Sequence, residues 1–137
     1  MKTRVHLPRG VLDQLNADAR QHYERMEYRP TPGAAIRDEA GNVLVTKSAK
    51  GKVKGLPQGG LKKGENVILG LWRELKEELG IVKPDVLELC HVARLETPGK
   101  LRDDFTVGKR YYIFHVVCFG RRPILVPKLD EICGYEW

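Results

Sequence analysis

The chain has 137 residues, 42% of them apolar, with 24 Lys and Arg against 18 Asp and Glu and a net charge of +6. That length and balance suit one domain with a core of its own and exclude a disordered or fibrous chain. The longest apolar run, 111–119 broken by His115, falls far short of the roughly 20 residues of a membrane helix, and MKTRVHLPRG lacks the apolar stretch of a secretory signal.

No repeat or linker divides the chain, so residues 1–137 read as a single domain with a helical extension at 1–30 and a core at 31–137. The cytoplasm is the expected compartment, and no membrane partner is expected. Cys90, Cys118 and Cys133 are odd in number and widely spaced, which argues against a disulfide framework or structural zinc. Cys90 and Cys118 sit in apolar alternating runs and read as buried thiols. The positive balance fits an anionic partner.

Gly10 to Glu27 carries Val11, Leu12, Leu15, Ala19 and Met26 on roughly one face, which predicts a leading amphipathic helix ended by Pro30 and Pro32. Ala34-Ala35-Ile36 and Val43-Leu44-Val45 flank the turn-rich Asp38 to Asn42 and predict a β-hairpin. A Lys- and Gly-rich loop follows, then a strongly periodic helix over Asn66 to Leu79. Val86 to Leu95, Arg110 to Phe119 and Ile124 to Val126 predict strands. The order predicts an α/β (α+β) domain with helices packed on a mixed sheet.

At about 100° per residue, Val67, Leu71, Leu75, Ile68, Leu79 and Trp72 share one arc facing the core, and Gly80 is the stop. Glu74, Glu77 and Glu78 gather on one flank, with Glu78 intruding on the apolar arc. Like charges at that spacing oppose the helix unless neutralised, and a cluster of oxygen ligands suits a hard cation such as Mg²⁺. Gly70, one turn before Glu74, gives up about 1 kcal/mol of helix propensity, for which open space beside the carboxylates is the expected return.

An E-x-x-E-E by itself describes many solvated helix faces. Here Gly59, Glu65, Arg73, Glu74, Leu75, Glu77, Glu78, Gly80 and Ile81 complete G-x5-E-x7-R-E-U-x-E-E-x-G-U, where U is a bulky aliphatic residue. Seven fixed positions at about 6–7% each would coincide in roughly one chain of this length per million. The sequence resembles the Nudix hydrolase family.

That resemblance implies an α/β/α sandwich, with the catalytic loop and helix packed on its sheet, and a pyrophosphohydrolase for a nucleoside diphosphate linked to another moiety. It implies Mg²⁺, with Mn²⁺ as an alternative, bound by Glu74, Glu77 and Glu78 and by a carbonyl of Gln58 or Gly59. Arg73 pairs with a glutamate, for which Glu77 at i+4 is placed, while Glu65 is either a helix-start acid or a further ligand. The resemblance also implies a catalytic glutamate beyond this box of residues 59–81, for which Glu131 is the candidate, with Asp103 and Asp104 as alternatives.

Tyr28-Arg29-Pro30 and Leu56 to Leu61 are similar to the branch acting on dinucleoside polyphosphates or RNA 5′ ends. Lys109-Arg110-Tyr111-Tyr112 resembles the diphosphoinositol branch, and Pro98 is reminiscent of ADP-ribose pyrophosphatases. The expected partner is therefore a phosphorylated small molecule or an RNA 5′ end. Lys47, Lys54, Lys62 and Lys63, on the approach to the helix, and Tyr112 are the candidate substrate-binding residues. A catalytically silent nucleotide-binding module is the competing class. Family members commonly continue into a closing helix, whose place the N-terminal helix would fill if the sequence is not a truncated one.

Overall fold

The computed structural model describes residues 4–5, 7–81, 88–98, 107–117 and 122–137. A four-stranded mixed sheet runs in the order β1 (Arg4–Val5), β5 (Glu88–Pro98), β6 (Gly108–Val117), β2 (Tyr28–Arg37). A second, antiparallel sheet has β3 (Val45–Ser48) between β4 (Lys54–Gly55) and β7 (Ile132–Glu136). Helices α1 (Val11–Arg25) and α2 (Val67–Leu79) complete the mixed α/β architecture.

The prolines expected to end α1 do not do so. The helix stops at Met26, which takes a left-handed conformation at φ 57° and donates its N–H to the Tyr23 carbonyl. Pro30 and Pro32 lie inside β2, parallel to β6 from Tyr28 opposite Gly108 to Arg37 opposite Val117. Their other side faces the loop before α2, where Leu61 N–H donates to Pro30 O (2.8 Å) and Gly59 N–H to Pro32 O (3.2 Å). On that side β2 is asked only for carbonyls at the two prolines, so their missing N–H groups cost nothing.

The expected hairpin is reduced to its turn. Asn42 N–H donates to Asp38 Oδ1, Leu44 N–H to Ile36 O, and one bridge joins Arg37 to Val43. Leu44 then dives fully into the core, and the chain crosses to the second sheet as β3. Residues Ile124 to Val126 form no strand, while β7 occupies a stretch where none was expected.

One core joins the layers: Leu15 and Ala19 from α1, Ile36 from β2, Leu71, Leu75 and Leu79 from α2, Phe114 from β6 and Ile132 from β7. The apolar arc of α2 is therefore buried as its periodicity predicts. Cys118 and the Cys90 side chain lie outside the described part, and Cys133 is exposed. Among the described residues no helix is long and apolar enough to cross a membrane.

Candidate active site

Helix α2 begins with a side-chain cap: Asn66 Oδ1 accepts the Leu69 N–H at 2.8 Å. It ends at Gly80, at φ 68°, whose N–H reaches back to Leu75 O and Lys76 O. Between Gly55 and the cap, the loop lies along β2 and presses on the helix at two glycines. A Cβ on Gly59 would fall within 2.1–2.6 Å of the Glu74 carboxyl, so the backbone there cradles that carboxylate. A Cβ on Gly70 would meet Leu61 Cδ2 at 2.2 Å. Gly70 thus makes room for the buried Leu61, not for open space beside the carboxylates.

Arg73 organises one side of the helix. Its Nε and Nη2 donate to the two oxygens of Glu65 at 2.7 and 2.8 Å, a fork-to-fork pair. Nη1 donates to Glu74 Oε1 (2.7 Å) and Glu77 Oε2 (3.2 Å), and Nη2 also to Gly60 O (3.1 Å). All five guanidinium hydrogens are therefore used. The Glu65 carboxyl is held below its ordinary range, foremost by the hydrogen bonds from Arg73, and the guanidinium is held charged by the same contacts. The expected Arg73–Glu77 pair exists, but the stronger partner is Glu65. The box spacing alone conceals this, because Glu65 approaches Arg73 from the loop.

Glu78 faces the opposite situation. Burial first, then Glu74 and Glu131, push its carboxyl up to about 8, and hydrogen bonds join it to both neighbours. Glu131 arrives there because the chain before it is tied to the end of α2. Val126 N–H donates to Leu79 O (2.7 Å) and Lys128 N–H to Glu78 O (2.8 Å), so helix carbonyls that have no intrahelical partner are satisfied. Glu131 is fixed in turn by its N–H to Lys128 O and by Ala49 N–H donating to its carbonyl. Asp103 and Asp104 lie outside the described residues.

This donor set fits a divalent cation. A half-buried Glu78 carboxyl that meets both Glu74 and Glu131 needs either a shared proton or a positive ion beside it. They are not a finished cage: among the described residues no three acidic, His or Cys side chains stand in ligand geometry. Glu74 and Glu77 each give an oxygen to Arg73 instead.

A family profile described as NUDIX domain matches residues 27–137. The chain belongs to the Nudix family. The RNA pyrophosphohydrolase of Actinobacillus pleuropneumoniae serotype 5b (strain L20) is 44% identical over 59 residues, covering 43% of this chain and 29% of that protein. That of Baumannia cicadellinicola subsp. Homalodisca coagulata is 39% identical over 121 residues, covering 80% of this chain and 76% of its own. The chain thus spans under a third of the first relative and about three quarters of the second. Among solved structures, the E. coli dihydroneopterin triphosphate pyrophosphohydrolase superposes with a TM-score of 0.67 at 19% identity, over 81% of this chain and 82% of that one, which shows a shared fold.

Several candidate substrate contacts of this Nudix chain stand elsewhere than the carboxylates. Tyr112 is fully buried and donates its hydroxyl to Asp18 Oδ2 at 2.5 Å, so it fastens α1 to the sheet and offers no surface to a substrate. Arg110 joins the same Asp18 (2.7 Å) and Glu96 (2.9 Å). Lys54 pairs with Glu136 at 2.9 Å, and with Lys47 it borders a recess of about 190 Å³ on the second sheet. Lys62 and Lys63 border a groove of about 1140 Å³ between α1 and the loop, opposite Arg20 and Tyr23. Gln58 bridges to β2 opposite Gly33, and its side-chain oxygen receives Lys109 Nζ at 3.5 Å.

Proposed function

We propose that this Nudix chain is a divalent-cation-dependent pyrophosphohydrolase that acts on the 5′-phosphorylated end of RNA. Dinucleoside polyphosphates are the second substrate class. The observation that carries the reading is the meeting of Glu78 with Glu74 from the same helix and Glu131 from the following loop. The choice of RNA draws on the name of the relative 39% identical over 121 residues.

Mg²⁺ or Mn²⁺ would be held by Glu74 and Glu78, with Glu77 and a carbonyl of Gln58 or Gly59 completing the set. Once bound it would screen the phosphates and acidify a water molecule. Arg73, locked to Glu65, holds Glu74 against the Gly59 cradle, so the carboxylate is preset before any ligand arrives. Glu131 accepts the proton as the water oxygen bonds to phosphorus and the P–O–P anhydride bond opens, releasing the leaving phosphate group. Its side chain is about half exposed, which gives it access to that water.

The test is Mg²⁺-dependent product release from 5′-triphosphate RNA, Ap4A, ADP-ribose, nucleoside triphosphates and diphosphoinositol phosphates, assayed side by side. Pyrophosphate release from RNA is the expected result. Preference for another compound reassigns the substrate, and no release from any of them favours a silent binding module.

A further inference from the structure

We propose that Asn16, on the N-terminal helix that lies outside the matched Nudix residues 27–137, is a positioning residue for the catalytic helix. The inference rests on the pyrophosphohydrolase reading for its catalytic consequence, but not for its structural one. The Asn16 side-chain oxygen accepts the main-chain N–H of Val67 at 2.9 Å. Val67 is the first residue of α2, and the first N–H groups of a helix have no partner within it. Asn66, the residue before, caps Leu69 N–H from within the same segment and can turn with it. Asn16 ties the helix start to a different element.

That element is itself immobilised within one turn of Asn16. Leu15 and Ala19, on either side, are buried in the core, and Asp18 is bound by Arg110 and by Tyr112 of β6. The position of the Asn16 oxygen is therefore fixed against the sheet, and through Val67 so is the rotation of α2 about its axis. Arg73 and Glu74 lie about two turns along that axis, where a small rotation would lift Glu74 out of the Gly59 cradle.

The experiment compares Asn16→Leu, which removes the acceptor at similar size, with Asn16→Asp, which keeps it. Amide hydrogen exchange at Val67 in the cation-free protein reads the brace directly. Mn²⁺ titration and steady-state kinetics read its consequence. Asn16→Leu is expected to speed Val67 exchange at least tenfold, weaken Mn²⁺ binding severalfold and lower kcat with KM nearly unchanged, while Asn16→Asp restores all three. Unaltered Val67 exchange, or faster exchange with Mn²⁺ affinity and kcat within twofold of the parent, overturns the inference. Should Asn16→Leu fail to fold, Asn16→Ser replaces it under the same criteria. A parent protein inactive on every substrate would sink the hydrolase reading, while exchange and Mn²⁺ binding would still decide the role of Asn16.

Discussion

Two sides of α2 carry the same kind of residue and solve opposite problems. On the side of Arg73, the carboxylates of Glu65, Glu74 and Glu77 share a guanidinium whose five hydrogens are all used. On the side of Glu78, the carboxylates meet one another instead. The first arrangement is complete as folded protein; the second has only the exposed Lys128 ammonium, 3.3 Å from Glu131 at its rim, and, among the described residues, no cation against Glu78. Acidic residues that balance a cation within the fold serve architecture, while those left facing each other at a half-buried site are where a charged ligand is wanted. Glu74 belongs to both sets, so the architectural side holds the reactive one in place.

The largest expected effect tests the unbalanced side. Glu78→Gln should lower turnover by roughly a hundredfold or more with the fold intact by circular dichroism; a variant retaining normal activity breaks the assignment. Arg73→Lys tests the balanced side, because an ammonium cannot reproduce the fork that grips Glu65. It should cost about 2–3 kcal/mol in urea unfolding, and a loss below 0.5 kcal/mol would show that the network contributes little.

Without divalent cation the two sides should also part in their pH response. The Glu78 carboxyl sits at about 8 in the fold against 4.5 ordinarily. The folded state then keeps a proton that the unfolded chain releases, so the stability tied to it is full below about 4.5 and is lost as pH rises through 8. Thermal melts in EDTA should fall between pH 5 and pH 9, and Glu78→Gln should flatten that slope; a slope identical in the variant removes Glu78 as its source.

Smaller effects belong to packing. Gly70→Ala forces Leu61 aside and should cost about 1–2 kcal/mol, read by chemical denaturation. Tyr112→Phe should cost about 1 kcal/mol through its lost bond to Asp18, with KM unchanged. A raised KM would return Tyr112 to the substrate side.

Helix α2 was legible from its residues because its signals are local: apolar spacing, an Asn at the start and a Gly at the end all act within one turn. The box around it was legible for a different reason, since a spacing over 23 residues from Gly59 to Ile81 is too improbable for a solvated face. What escaped depends on partners distant in sequence. Pro30 and Pro32 read as breakers because nothing local shows that a loop near residue 60 needs only their carbonyls. Glu65 read as either a helix-start acid or a further ligand, and its bond to Arg73 went unseen because it spans eight residues and two elements. Tyr112 read as a candidate substrate contact because Asp18, which takes its hydroxyl, lies 94 residues away.

The main-chain attachment of residues 126–128 to the end of α2 has a consequence for how such a protein can change. Bonds from peptide N–H groups to helix carbonyls are indifferent to the side chains that accompany them. Glu131 is therefore delivered to Glu78 by a strap whose neighbouring side chains Leu129 and Asp130 point to solvent. Those positions are open to drift without moving the carboxylate, so the rim of the site is free to acquire new preferences while its chemistry stays where it is.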